Sequence, residues 1–320
     1  MRIVVLGGTR FIGRAVVEEL SAREHEVVVV HRGRTEPQDL VEVEHMHVDR
    51  AELRDHAADL AALRPDAVVD ARALTRADAE AAVAALPDVP LVALSSVDVY
   101  LAFGELMVGK GGQPVPIDEQ SPVRRDRYPY RGRGPDYDDY EKLDVEEVYG
   151  RRQAAIFRLP VVFGPHDGQR REEFMLKRVR HARERIPFGA GTWLCSRVHA
   201  ADVASAVRLA LEAPGTSGIF NLAPAKTLTI RQWADAILTA AGHTAELVRV
   251  PDAALPEDLG LTADQPQHLL LSADRAIRAL GWRPGDLGER IADSVAWHMK
   301  HPPKGIEHAL TDDDQALGAA

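Results

Sequence analysis

The chain has 320 residues, 45% hydrophobic and 28% charged, a globular composition too apolar for a disordered protein and long enough for about two domains. Its 39 Lys and Arg against 49 Asp and Glu leave a formal net charge of −10, which opposes general binding to nucleic acid or to anionic membranes. A single cysteine, Cys195, excludes an internal disulfide and a multi-cysteine metal site, and fits a reducing, cytoplasmic setting. The opening run Ile3-Val4-Val5-Leu6 meets glycines too soon for a signal peptide, and no apolar stretch is long enough to span a bilayer.

In chain order, short apolar runs predict strands near Arg2–Leu6, Glu26–His31, His45–Val48, Asp66–Asp70, Pro90–Ser95 and Ala154–Arg158. Apolar steps of three and four residues predict helices near Ile12–Ala22, Ala51–Leu63, Arg76–Leu86 and Tyr137–Gly150. This alternation is that of an α/β protein with a doubly wound parallel sheet. Between Phe103 and Pro135 the periodicity stops, and a connection rich in Gly, Pro and charge suggests a binding loop or lid. Beyond Pro165, helices near Arg171–Glu184, Asp202–Ala213, Ile230–Ala241, Ala273–Leu280 and Leu287–Lys300 alternate with short strands at Ile219–Leu222 and Leu247–Val250. The expected division is a first domain over 1–165 and a smaller mixed α/β lobe over 166–320, with parts near 193–222 returning to the first domain. The polar end, Thr311–Ala320, is expected to fray.

The run Leu6-Gly7-Gly8-Thr9-Arg10-Phe11-Ile12-Gly13 leaves the first strand and opens the first helix. Gly7 suits the tight turn, Gly8 a close approach to a pyrophosphate and Gly13 close packing of helix on strand, while the helix N-terminus faces the phosphates. These residues point to a dinucleotide. At the end of the second strand, where an NAD site needs Asp or Glu, stand His31-Arg32-Gly33-Arg34, and Glu36 is the first acid after it. Arg10, Arg32 and Arg34 suit a 2′-phosphate, so NADP is expected ahead of NAD; a solvated arginine loop is the bland alternative.

These residues resemble the extended short-chain dehydrogenase/reductase family, also called the NAD-dependent epimerase/dehydratase family. Later landmarks follow in that family's order: Ser95-Ser96-Val97-Asp98-Val99-Tyr100, Arg158-Leu159-Pro160 with Gly164-Pro165, and Arg197-Val198-His199 with Asp202. Arg10 stands where the family's middle glycine would be, which is similar to the branch reading Gly-Gly-Thr-Arg-Phe-Ile-Gly, a branch that also holds chloroplast stem-loop RNA-binding proteins. The resemblance implies a Rossmann domain in which Thr9, Arg10, Phe11 and Ile12 join the glycines at the cofactor. It places Asp49, with Arg50, at the adenine amino group, although Asp49 equally suits a helix cap.

The same resemblance implies a Ser and a Tyr-x-x-x-Lys pair. Ser96 matches the serine and Lys142 the lysine, which also holds the nicotinamide ribose. The residue four before Lys142 is Asp138, and in a regular helix neither Tyr137 nor Tyr140 shares the lysine's face. Three readings stand: Tyr137 reaches the site from an irregular helix start, Asp138 is the base, or Asp138–Lys142 is a surface ion pair. The first is adopted, giving Ser96, Tyr137 and Lys142 as the catalytic set.

The family's second lobe holds a nucleotide-sugar diphosphate, which makes Arg170 and Arg197 the candidate substrate ligands, with His166, Asp167 and Arg171 beside them. The resemblance further implies a homodimer built from the helices near Arg76–Leu86 and Tyr137–Gly150. His45 and His47 share a strand face, but no third ligand lies near in sequence, so no metal is expected. Arginines alternate with aromatics from Arg124 to Arg133 as in a single-strand RNA binder, yet the net charge favours a lid. The expected function is an NADP-dependent oxidoreductase or epimerase/dehydratase acting on a sugar or nucleotide sugar. The rival is a non-catalytic NAD(P)-binding module for RNA or a protein partner.

Overall fold

The computed structural model describes residues 1–213, 215–303 and 310–319. The chain opens with β1 (Arg2–Leu6), α1 (Phe11–Ala22), β2 (Glu26–His31) and β3 (Glu44–His47), then a 3-10 turn over Arg50–His56, α2 (Ala57–Ala62), β4 (Ala67–Asp70), α3 (Arg76–Ala85) and β5 (Leu91–Ser96). There follow α4 (Leu101–Met107), α5 (Lys142–Gly150), β6 (Ala155–Leu159), β7 (Val161–Phe163), α6 (Glu173–Arg180), β8 (Arg185–Phe188), β9 (Arg197–His199), α7 (Ala200–Glu212) and β10 (Gly218–Asn221). The remainder is α8 (Ile230–Ala240), β11 (Glu246–Arg249), α9 (Asp274–Leu280), α10 (Leu287–Lys300) and α11 (Thr311–Leu317).

Seven strands form one parallel sheet in the order β10-β6-β5-β4-β1-β2-β3. Alternation along each strand divides the valines between two cores. Ile3, Val5, Val27, Val29 and Val69 face Val16, Val17 and Leu20 of α1 and Val203 and Val207 of α7. Val4, Leu6, Val28, Val30 and Val68 face Leu53, Leu60, Ala79, Ala82, Val145 and Tyr149 on the other side. Winding runs outward from β1 to β3 and, in the opposite sense, from β4 to β6, so the reversal lies between β1 and β4, where such sheets leave a ligand crevice at their carboxyl ends. This is a Rossmann-type α/β fold.

The second half returns β10 to the sheet beside β6 and lays α7 against α1. The rest builds a smaller lobe on two short parallel pairs, β8 with β11 and β7 with β9, around Phe163, Phe188, Trp233, Ile237 and Val295.

Several boundaries depart from the periodicity. The stretch expected as one helix near Ala51–Leu63 is a 3-10 turn followed by the short α2. The helix expected from Tyr137 begins only at Lys142, because Glu141, extended at φ −156°, caps it by accepting the Leu143 N–H. The end does not fray at Thr311: α11 is held by Asp313, 1% exposed, whose carboxylate takes two bonds from the buried Arg178. A polar sequence gives no sign of a buried ion pair whose partner lies 135 residues away.

Candidate active site

Gly7 follows β1 at φ +87° and donates its N–H to Val30 O. A Cβ on Gly13 would sit 2.0 Å from Gly7 O, and one on Gly8 2.7 Å from Val17. Turn and helix are therefore packed backbone to backbone. No side chain caps α1 at Arg10, so its first N–H groups stay open to an anion. The turn fits a dinucleotide pyrophosphate. Thr9 Oγ1 lies 3.1 Å from Thr35 Oγ1, which ties the loop after β2 to the turn. Arg32 and Arg34 are exposed on that loop, Arg10 is exposed at the start of α1, and none of the three side chains has a hydrogen bond or ion pair among the described residues.

Other expected cofactor residues are already occupied. Arg50 forks onto both oxygens of the buried Asp70, at 2.7 and 2.8 Å, so its guanidinium is spent at the end of β4. Asp49 accepts from Ala51 N–H as the cap of the 3-10 turn. His31 is buried against His45, its Nε2 2.9 Å from His45 Nδ1.

The catalytic residues expected from sequence divide in the same way. Ser96 ends β5, and its hydroxyl accepts from Asp98 N–H. Lys142, 5% exposed at the start of α5, donates to Leu94 O at 2.9 Å and Ala73 O at 2.5 Å, joining the ends of β4 and β5; burial lowers its pKa to about 8. Tyr137, expected to reach the site, lies on a 3-10 turn, 47% exposed, while Tyr140 lies at Ser96. The Tyr140 hydroxyl donates to Asp98 Oδ2 at 2.7 Å, and Lys142 Nζ lies 5.9 Å from its ring centroid. Asp138 does not pair with Lys142; it accepts from Gly132 N–H and holds the loop.

Asp98 is the residue that sequence reasoning passed over. It is 2% exposed, accepts from Tyr140 and, at 3.4 Å, from Tyr130, and its Oδ1 has no partner among the described residues. Burial raises its pKa, and burial followed by the Asp98 charge raises that of Tyr140 well above 10, so the phenol keeps its proton. A carboxylate between Val97 and Val99, in a run otherwise apolar after Ser96, was the available signal. Glu141, fully buried, grips both ends of the Arg124 guanidinium, at 2.5 and 2.9 Å, and the Tyr128 N–H, which straps the long loop over the site.

On the second lobe, Arg170 donates to Glu173 and to His298 O. Arg197, 7% exposed, lies over the Trp233 ring and shares a small cavity with Lys226, Thr227 and Leu228. Cys195 is buried, and burial raises its pKa, which leaves an inert thiol.

A parallel sheet with a glycine turn at its switch point, beside the half-buried Ser96 and Tyr140 and the buried Lys142, is that of a nicotinamide-dependent enzyme of the Rossmann class. The model of the NAD dependent epimerase/dehydratase family matches residues 3–223, and the chain belongs to that family. A 2′-dehydrokanamycin reductase of Streptomyces kanamyceticus is 28% identical over 78% of this chain and 70% of its own. The chloroplast stem-loop binding protein of 41 kDa b of Arabidopsis thaliana is 25% identical over 99% and 84%. A UDP-glucose 4-epimerase of Stenotrophomonas maltophila, solved with NAD and formylated UDP-arabinopyranose, superposes at a TM-score of 0.71, with 20% identity over 94% of this chain and 98% of that one. The chain is an NAD(P)-dependent enzyme of the epimerase, dehydratase and reductase type.

Proposed function

We propose that this enzyme is an NADP-dependent oxidoreductase acting on a sugar or nucleotide sugar, with Ser96, Tyr140 and Lys142 as its catalytic set. The observation that carries it is the meeting of these three side chains at the ends of β4 and β5, beside the glycine turn of β1. When bound, the nicotinamide gives or takes the hydride. Ser96 holds the reacting oxygen by its hydroxyl, and Tyr140 exchanges a proton with that oxygen. Asp98 orients the phenol, and its hold on the proton leaves Tyr140 in the form that reduction of a carbonyl consumes. Lys142, with one ammonium hydrogen left beyond its two carbonyl bonds, holds the ribose hydroxyls. Arg197 and Lys226, in one cavity, suit an anionic or polar end of the substrate. The names of the related proteins, a reductase of 2′-dehydrokanamycin and epimerases of UDP-glucose, support the sugar class.

The NADP preference rests on Arg32 and Arg34, two guanidiniums without a partner among the described residues, at the end of β2 where an NAD site carries an acid. NADPH and NADH are titrated by fluorescence against the wild-type chain and Arg32→Ala/Arg34→Ala. NADPH affinity is expected to fall about tenfold or more in the double variant, with NADH little changed. Equal losses for both, or tighter NADH binding by the wild type, overturn the preference. The RNA-binding alternative is weakened by the loop itself: Arg124 is committed to Glu141, and Arg127 contacts Asp144. A homodimer through α3 and α5 and a cytoplasmic setting belong to the same proposal; no helix among the described residues is long and apolar enough to cross a membrane.

A further inference from the structure

Three side chains of metal-ligating type, His31, Glu36 and His45, converge where the loop after β2 folds back over β3, with His47 beside them. The parallel register sets His31, the last residue of β2, opposite His47. His45, two residues earlier on β3, shares the face of His47. The loop then turns at Gly33, at φ +71°, where even a Cβ would come within 3.4 Å of the His47 ring, and returns Glu36 across the three imidazoles. His31 Nε2 lies 2.9 Å from His45 Nδ1 and 3.4 Å from Glu36 Oε1, and the same Glu36 oxygen contacts His47 Nε2. One donor atom each from His31, Glu36 and His45 falls within 4.8 Å of the others.

We propose that His31, Glu36 and His45 bind a divalent transition-metal ion of the zinc class, with water completing the shell and His47 holding Glu36 from outside it. Tetrahedral coordination at about 2.0–2.1 Å per bond sets donors about 3.3 Å apart. The His31–Glu36 separation matches this, and the His31–His45 contact need only open by about 0.4 Å. Two imidazoles and one carboxylate suit zinc, cobalt or nickel rather than magnesium or calcium, which prefer all-oxygen shells. His31 sits in the wall of the sheet while Glu36 and His47 are exposed, so the site is anchored on one side and open to an entering ion on the other. One bond is lost: Gly33 N–H donates to His31 Nδ1 at 3.2 Å, and ligation through Nε2 moves the ring proton to Nδ1. Gly33 is exposed, so its amide turns to water. The bound ion pins the loop that carries Arg32 and Arg34.

The test uses the full chain without an affinity tag, stripped with a chelator and titrated with Co2+ alone. A visible band of tetrahedral cobalt that saturates at one equivalent and is displaced by Zn2+ is expected. His45→Ala and Glu36→Gln are each expected to weaken Co2+ binding by about a hundredfold, with unchanged far-ultraviolet circular dichroism showing that they fold. Absence of a saturable band overturns the proposal. So does a band that survives unchanged in both folded variants, which places the ion elsewhere.

Discussion

Tyr140→Phe removes one oxygen from a buried site and keeps the ring against Tyr130, whose centroid lies 5.1 Å away. Turnover is expected to fall about a hundredfold or more, with the NADPH Kd within about twofold of wild type, because the proton donor goes and the cofactor's supports stay. Tyr137→Phe is expected to keep turnover within about twofold, since its side chain lies outside the site. Steady-state kinetics on the substrate found by screening checks both, and equal losses in the two variants would falsify the assignment. The placement of Ser96 and Lys142 was legible in the sequence because each stands at the edge of a regular element whose pattern is clear. Tyr140 was not, because the helical wheel that excluded it assumed a helix running through Tyr137, whereas the backbone is extended at Glu141 and helical only from Lys142. The extended residue Glu141 breaks the helical spacing and lets the Tyr140 side chain reach a place that a continuous helix forbids.

Where α6 meets α10, Glu172 is fully buried at the head of α6, accepts from Ser294 of α10, and lies 3.7 Å from His298 Nε2. Burial raises its pKa from 4.5 to about 7. The folded state thus holds this proton more tightly than the unfolded chain, so the contribution to stability is fully present below about pH 4.5 and is lost as pH rises through about 7. Glu172→Gln keeps the bond from Ser294 and removes the charge. It is expected to be more stable than wild type at pH 8 by about 1–3 kcal/mol, with the difference closing by about pH 5, as read from denaturant midpoints. A constant difference across that range would show that Glu172 titrates normally. Element type followed the sequence for β1, α1, β2, β4 and β5, whose apolar runs are long. It failed at Ala51–Leu63, where Leu53 and Leu60 are the buried leucines but the backbone takes a 3-10 path before α2. Periodicity reports which face is buried more faithfully than it reports the winding of a short turn.

At the scale of the whole molecule, α11 closes the second lobe through Arg178, whose fully buried guanidinium is shared between Asp313 and Asp258. Asp313→Ala leaves a buried cation with one of its two carboxylates and is expected to cost about 3 kcal/mol, lowering the thermal midpoint with no change in NADPH affinity. Little or no shift in the midpoint would show that α11 is dispensable to the lobe. The sequence by itself determined the doubly wound sheet, the glycine turn and the acid-free end of β2, because valine runs buried on both faces and a strand–glycine–helix junction are local patterns with one physical solution. Only the tertiary structure decided which tyrosine meets Ser96, that Arg50 belongs to Asp70, and that His31 and Glu36 come together with His45. Each of these depends on parallel register, on a buried ion pair or on the path of a loop between residues distant in the chain. Such contacts leave no period in the sequence, since their energy comes from partners that only the folded chain brings within a few ångströms.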